Sequence, residues 1–267
     1  MKTRYSLSWV AIGIISLIVL GPFLWGLKTS LMAPLNIGLL SSGRIHLDNY
    51  RYILSRPELG RYILNSIKVA AATVAIVLPM AVAGGYALAR YDFPGKKLSV
   101  LLIILPLVPA ISVLVPMIIY LRRIGLFNTL AGVVLANIVF NTPFVVWMVR
   151  GFIAQIPREI EEAAEMDGCS PLGALARVII PLSVPGLIAS GIFVLIGTWN
   201  NYLYAFAFTT SPDLRVLPQG MLAFIGSWGT NYGGLNAAAL VAMLPPMILF
   251  LIFQKWFIQG MLAGSSR

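Results

Sequence analysis

The sequence predicts an all-α polytopic membrane protein with six transmembrane helices. Three observations carry this expectation. Only 10% of the 267 residues are charged, while 59% are hydrophobic. A soluble domain carries about 25% charged residues, so the bilayer must solvate much of this chain's surface. Six apolar stretches approach or exceed the about 20 residues needed to cross a hydrocarbon core. None of the nine acidic residues lies inside any of the six.

The stretches run from about 8 to 27, 66 to 89, 99 to 121, 131 to 149, 184 to 206 and 237 to 257. The first follows a basic start, Met1-Lys2-Thr3-Arg4, as a signal peptide would. Its apolar run is long, contains Gly21-Pro22 and Trp25, and leads to no nearby small-x-small cleavage site. It reads as a retained helix. The second stretch is rich in small residues (Ala70, Ala71, Ala72, Ala75, Ala81, Ala83, Gly84 and Gly85). Small side chains let helices approach closely where lipid removes the hydrophobic drive, which predicts a packed bundle. Pro79, Pro106, Pro109, Pro116, Pro143 and Pro245-Pro246 fall within the stretches. They are compatible with kinked helices round a pathway, and equally with the ordinary proline content of membrane helices.

The net charge of +10 comes from Lys and Arg in the short loops. There is no dense basic run and no interleaved basic and aromatic motif, so nucleic acid is not an expected partner. Counting these charges gives an intracellular N-terminus only a small edge. Cys169 is the single cysteine and His46 the single histidine. No intrachain disulfide or His cluster for a catalytic metal can form, and a nucleophile–histidine pair would have to recruit His46 from a polar loop. Ion-coupled carriers usually keep ionisable residues within the membrane, and this chain has few.

Five of the nine acidic residues fall between Glu159 and Asp167. An aspartate at the centre of a membrane helix costs about 2.5–3.5 kcal/mol, so this segment lies outside the bilayer. Pro157 suits a first turn, the acids follow where the helix dipole favours them, and Gly168 suits a left-handed cap. Ser170-Pro171 then reads as N-cap and first turn of a second short helix, with Pro181 and Pro185 before the fifth stretch. Ile160, Ala163 and Ala164 share one face, with Glu161, Glu162 and Glu165 round the other side. Such a helix can dock into a groove on another protein or lie on headgroups. Its acidity disfavours a negatively charged leaflet.

Glu162-Ala163-Ala164, then Gly168, Val178, Ile180 and Pro181, resembles the EAA loop of membrane subunits of bacterial ATP-binding-cassette (ABC) importers. The family pattern is EAA, three residues, Gly, nine residues, then I-x-L-P. Val178 and Ile180 replace its isoleucine and leucine. The likeness extends to Asn49-Tyr50, Asn65-Ser66, Ala87-Leu88-Ala89-Arg90, Phe93-Pro94-Gly95, Gly125-Leu126-Phe127-Asn128-Thr129, Trp199-Asn200 and Gly260-Met261-Leu262-Ala263-Gly264. These look like the carbohydrate branch, and within it the shorter, MalG-type subunit. The outer loop from Lys28 to Asp48 departs from the pattern.

The resemblance implies a type I ABC importer permease fold in one domain over 1–267, with a cytoplasmic coupling loop over 151–181. It implies a multi-pass protein of the bacterial inner membrane with both termini cytoplasmic. Its partners would be a second, MalF-type permease, two copies of a cytoplasmic ATPase, an extracytoplasmic solute-binding protein and a sugar. Glu162, Ala163, Ala164 and Gly168 would couple to the ATPase, and the tail Gln259–Arg267 would touch it. ATP and magnesium would bind the ATPase, with no cofactor in this chain. Gly95-Lys96-Lys97 lacks the leading glycine and the hydroxyl of a phosphate loop. Trp199, Asn200, Asn201 and Tyr202 offer aromatic faces and amides for a solute path, or for an interfacial belt and helix packing. Glycerol phosphates or polyols are alternative cargoes. A gradient-driven carrier is the rival class.

Overall fold

The computed structural model describes residues 2–32, 45–226 and 229–265. Its helices are α1 (Lys2–Ser30), α2 (Asp48–Leu54), α3 (Pro57–Arg90), α4 (Leu101–Ile104), α5 (Ala110–Arg123), α6 (Leu130–Ile153), α7 (Arg158–Met166), α8 (Pro171–Ala174), α9 (Ile180–Trp199), α10 (Tyr202–Phe208), α11 (Leu217–Gly220) and α12 (Tyr232–Ser265). One antiparallel pair of two-residue strands, β1 (Ile225–Gly226) and β2 (Gly229–Thr230), interrupts the helical pattern. Among the described residues, five helical segments are long and apolar enough to cross a membrane. A sixth exists if the segment Lys96–Leu107 and α5, bent by 97°, form one span.

That bend breaks the third stretch, expected as one helix over 99–121, into two segments. Val108 is extended (ψ 123°), and Pro109 follows it. A residue before proline is driven out of the helical region by the proline ring. Pro106 lies in a 3-10 turn (Leu105–Leu107) just before the bend, whereas Pro79 in α3, Pro116 in α5, Pro143 in α6, and Pro245 and Pro246 in α12 sit inside unbroken helices. The fifth stretch also differs from the expected 184–206. Its helix continues without a break from Pro171 to Trp199, stops at Asn200-Asn201, and restarts as α10. The expected separate second helix of the loop therefore merges with the span. A π turn at Leu175–Ile179 joins α8 to α9 just before Pro181, where the missing N–H interrupts the α-helical ladder.

The packing divides the chain into two compact units. One unit comprises 1–61 and 220–244. Within it, Asn49 donates from Nδ2 to the carbonyls of Ser30 (2.9 Å) and Met32 (2.8 Å). The Tyr50 hydroxyl meets Ser30 Oγ at 2.8 Å. Gly26 faces the Asn236 amide so closely that a Cβ would lie 3.2 Å from its oxygen. These contacts explain why α1, α2 and the start of α12 form a unit: polar ends of apolar helices satisfy one another.

The other unit comprises 62–219 and 245–267. One core cluster joins Val77, Ala81 and Tyr86 of α3 to Val145, Val149 and Ile153 of α6, with Ile179 and Val194. The expected role of small residues holds at Gly84 and Gly85. A Cβ on Gly85 would stand 2.9 Å from the Arg150 backbone nitrogen, and one on Gly84 would stand 3.1 Å from Val146. Ala71, Ala75 and Ala83 instead face outward. On the next interface, the Phe152 ring of α6 lies over Gly186 of α9, 2.3 Å from where a Cβ would be. A second cluster gathers Val69, Leu121, Val133, Tyr204 and Phe208. Several hydroxyls inside helices return to the preceding turn, as in Thr73 to Val69 O (2.8 Å) and Ser190 to Gly186 O (2.8 Å). This satisfies them where no water is at hand.

Candidate functional site

The acidic segment forms the nine-residue helix α7, as expected. Its C-terminus closes in a Schellman motif. Cys169 N donates to Ala164 O and Gly168 N to Glu165 O, each at 3.0 Å, and Gly168 holds φ +91°. Ser170 then caps α8, its Oγ accepting from Gly173 N at 3.2 Å. The chain thus reverses within a few residues between α7 and the fifth span.

One face of α7 is turned inward and the other outward. Glu162, Ala163 and Gly168 are exposed, and Ala164 is half-buried. Ile160 is 40% exposed and Met166 88%, and Leu172 of α8 is 74% exposed. Of the expected apolar face, Ile160 and Ala163 are therefore exposed and Ala164 is partly covered, among the described residues.

Glu161 is the correction. The sequence grouped it with Glu162 and Glu165 on the outer side, yet it is the buried residue of the helix. The Tyr86 hydroxyl donates to its Oε1. Arg90 Nε donates to its Oε2 at 2.6 Å, and Arg90 Nη2 donates to Ile156 O at 2.9 Å. Both charged side chains are at most one-tenth exposed. The signal was legible in part: Glu161 and Ala164 are three residues apart and share a face, and Arg90 ends the second apolar stretch beside the basic loop. Beside the pair is a polar recess of about 140 Å³ lined by Arg90, Tyr91, Arg158, Glu161, Glu162 and Glu165. Arg158 Nη2 donates to Arg90 O at 3.1 Å, fixing the start of α7 to the end of α3. Nearby Asp92 pairs with Lys96 at 2.8 Å, and that hydrogen bond and charge hold its carboxyl below the usual range.

The four residues of the expected solute path separate into two kinds. Trp199 is buried at the end of α9. Asn201 caps α10, accepting from Tyr204 N at 3.1 Å, and donates to Asn137 Oδ1 of α6 at 3.3 Å. Both serve the packing of helix ends. Asn200 is exposed, and Tyr202 is half-buried against Phe206 with ring centroids 5.2 Å apart. These two are not fully buried. A cavity of about 280 Å³ between α3, α9 and α12 is walled by residues such as Val74, Leu78, Leu187, Leu249 and Phe253. No polar side chain lines it, so it offers nothing to a hydroxylated solute.

Several other motif residues hold the scaffold. Asn65 Nδ2 donates to Asp213 O (2.8 Å) and Arg215 O (2.9 Å), and Ser66 Oγ accepts from Leu217 N (2.9 Å). Asn128, at φ 56°, accepts from Thr210 N (2.9 Å) and Ser211 N (3.0 Å). Thr129 caps α6 by accepting from Gly132 N at 3.0 Å. His46 lies in the loop before α2, with Nδ1 3.6 Å from Asp48 Oδ2. Among the described residues, no group of His, Cys, Asp or Glu could hold a metal ion. Of the tail Gln259–Arg267, the backbone to Ser265 continues α12, whereas Ser266 and Arg267 lie outside the described residues.

Residues 75–263 match the family described as binding-protein-dependent transport system inner membrane component. The chain is 33% identical over 251 residues to the trehalose transport system permease protein SugB of Mycobacterium tuberculosis, covering 92% of each chain. It is 30% identical over 260 residues to the trehalose/maltose transport system permease protein MalG of Thermococcus litoralis, covering 95% of this chain and 94% of that one. It is 32% identical to the diacetylchitobiose uptake system permease protein NgcG of Streptomyces coelicolor, covering 94% and 85%. Among solved structures, a chain of a bacterial ABC transporter that imports alginate superposes with a TM-score of 0.76 at 21% identity, covering 96% and 97%. A family match over most of the chain, an EAA loop in the described geometry and the shared helical fold agree, and the chain belongs to the membrane-spanning permease subunits of ABC importers.

Proposed function

We propose that this chain is one of two membrane subunits of an ATP-driven, binding-protein-dependent importer of a sugar or oligosaccharide. A second, MalF-type permease completes the pathway, and a solute-binding protein delivers the cargo from outside. Two copies of a cytoplasmic ATPase bind ATP and magnesium and hydrolyse the ATP. Their closure pushes on the coupling loops and alternates the access of the pathway. Several relatives are named for trehalose, maltose or diacetylchitobiose transport, which supports a carbohydrate cargo. Both termini and α7 lie on the cytoplasmic side in this reading.

The observation that carries the proposal is the two-sided character of α7. Its inner face is locked to the bundle through Glu161, while Glu162 and Ala163 stand free. Glu162 makes a charged contact with the ATPase, and the alanines permit close approach. Gly168 shapes the return. Asn200 and Tyr202 are the members of the expected path that remain accessible to solute.

The test is co-purification of this chain with its ATPase and partner permease, comparing wild type with Glu162→Lys and Gly168→Asp. Expected is at least a tenfold loss of ATPase association or of ATP-dependent uptake, with membrane insertion and detergent stability of Glu162→Lys unchanged. A folded complex that transports at the wild-type rate with both variants would overturn the coupling role.

A further inference from the structure

We propose that the buried Tyr86–Arg90–Glu161 cluster is a rigid strut that makes α7 and the end of α3 move as one body. Glu161 and Arg90 are then positioning residues: they touch neither solute nor ATPase but carry displacement of the coupling helix into a membrane span. This inference rests on the coupling-loop reading and adds to it a named route into the bundle.

Three features of the geometry support a strut over an ordinary packing contact. The contact is multiple. The Glu161 carboxylate accepts from Tyr86 on one oxygen and from Arg90 on the other (2.6 Å), while the same guanidinium grips Ile156 O (2.9 Å), just before α7. Arg158 closes the loop by donating back to Arg90 O (3.1 Å). Two helices joined at three points, with a fourth just before α7, cannot pivot about one.

The location is also telling. Tyr86 and Arg90 are one helical turn apart at the end of α3, a 34-residue helix long enough to cross the membrane with residues to spare. A push on this end is transmitted along a continuous rod. Gly84 and Gly85, immediately before it, hold α3 in backbone contact with α6, so the rod is guided where force enters. The chemistry completes the case. Both charges are nearly excluded from water, where an ion pair holds its geometry far more strongly than at a surface. A merely solubilising acid on a coupling helix would face outward, as Glu162 and Glu165 do.

The experiment measures the separation of two spin labels in the assembled transporter. Cys169→Ser removes the single native cysteine, and Met166→Cys on α7 and Ala83→Cys on α3 take the labels at exposed positions. Distances are recorded by pulsed electron resonance without nucleotide and with ATP and vanadate. With the strut intact, the separation is narrow and equal in both states. In Glu161→Gln and in Tyr86→Phe, which deletes one hydroxyl only, the distribution widens at least twofold on nucleotide binding. Arg90→Lys, which keeps the charge and loses the fork, gives an intermediate width.

Equal, narrow separations in Glu161→Gln and Tyr86→Phe would overturn the strut, as would a nucleotide-dependent separation in the parent. Neither result touches the docking of α7, which is read separately as co-purification of the ATPase. If the parent chain fails to bind the ATPase at all, the coupling reading falls and the strut falls with it.

Discussion

Gly168 and Glu161 show how single residues set the coupling loop. Gly168 stands at φ +91° with no atom within 4 Å of where a Cβ would be, so its requirement is conformational and not steric. Gly168→Ala should destabilise the end of α7 by about 1 kcal/mol. Amide exchange there should accelerate roughly fivefold, with the rest of the chain unchanged. Glu161 makes a different demand. Removing one member of a buried ion pair leaves its partner uncompensated, at a cost of about 3–5 kcal/mol. Glu161→Leu should therefore lower the detergent melting temperature more than the double variant Glu161→Leu with Arg90→Met. Equal losses would show that the pair is not electrostatically coupled. Asp92 offers a milder case on the surface. Its folded pKa is lowered by Lys96, so its contribution is present above the ordinary carboxylate pKa and fades as pH falls through the lowered value. In Lys96→Gln the Asp92 midpoint, followed by carbonyl NMR, should rise.

At the scale of elements, the helices of the bundle are held at glycines. Phe152 of α6 occupies the space a side chain on Gly186 would need, and Val146 crowds Gly84 of α3 less severely. Gly186→Leu should separate α6 from α9 and lower the melting temperature well beyond Gly84→Ala, because overpacking costs about 1–3 kcal/mol or more. Gly151→Ala, with nothing within 4 Å, is the control and should be neutral or slightly stabilising. Melting curves that rank these variants otherwise would contradict the helix contacts described. The helix that starts at Pro171 shows the opposite strategy. It keeps running through Pro181 by means of a π turn, so the loop after α7 is continuous with a membrane span. Proline here shapes a helix without ending it.

For the whole molecule, the decisive question is how the segment between Lys96 and Arg123 crosses the bilayer. It is bent by 97°, and read as one span it completes six. Single cysteines at Leu98 and Ile124, in the Cys169→Ser background, should then react with an impermeant thiol reagent from opposite sides. Met166→Cys should react from the same side as Leu98→Cys. Labelling of Leu98 and Ile124 from one side would make the segment re-entrant and the span count five.

The sequence by itself determined the membrane class, because charge and hydropathy are properties of composition and the bilayer reads them directly. It also determined the C-terminal end of α7 and the start of α8, since Gly168 and Ser170 act within a few residues of themselves. Tertiary structure decided which acid turned inward, beyond the partial signal of the face that Glu161 shares with Ala164. Glu161 and Arg90 are 71 residues apart, and nothing in the local pattern pairs them. It also decided that Asn65 and Asn128, legible only as motif letters, and Asn201, readable as a path or a packing amide, cap and tie helix ends. It decided, too, that Pro109 breaks a helix while Pro116 and Pro143 do not. Each of these depends on which distant groups satisfy the backbone and the buried charges, and in a membrane only the fold supplies those partners.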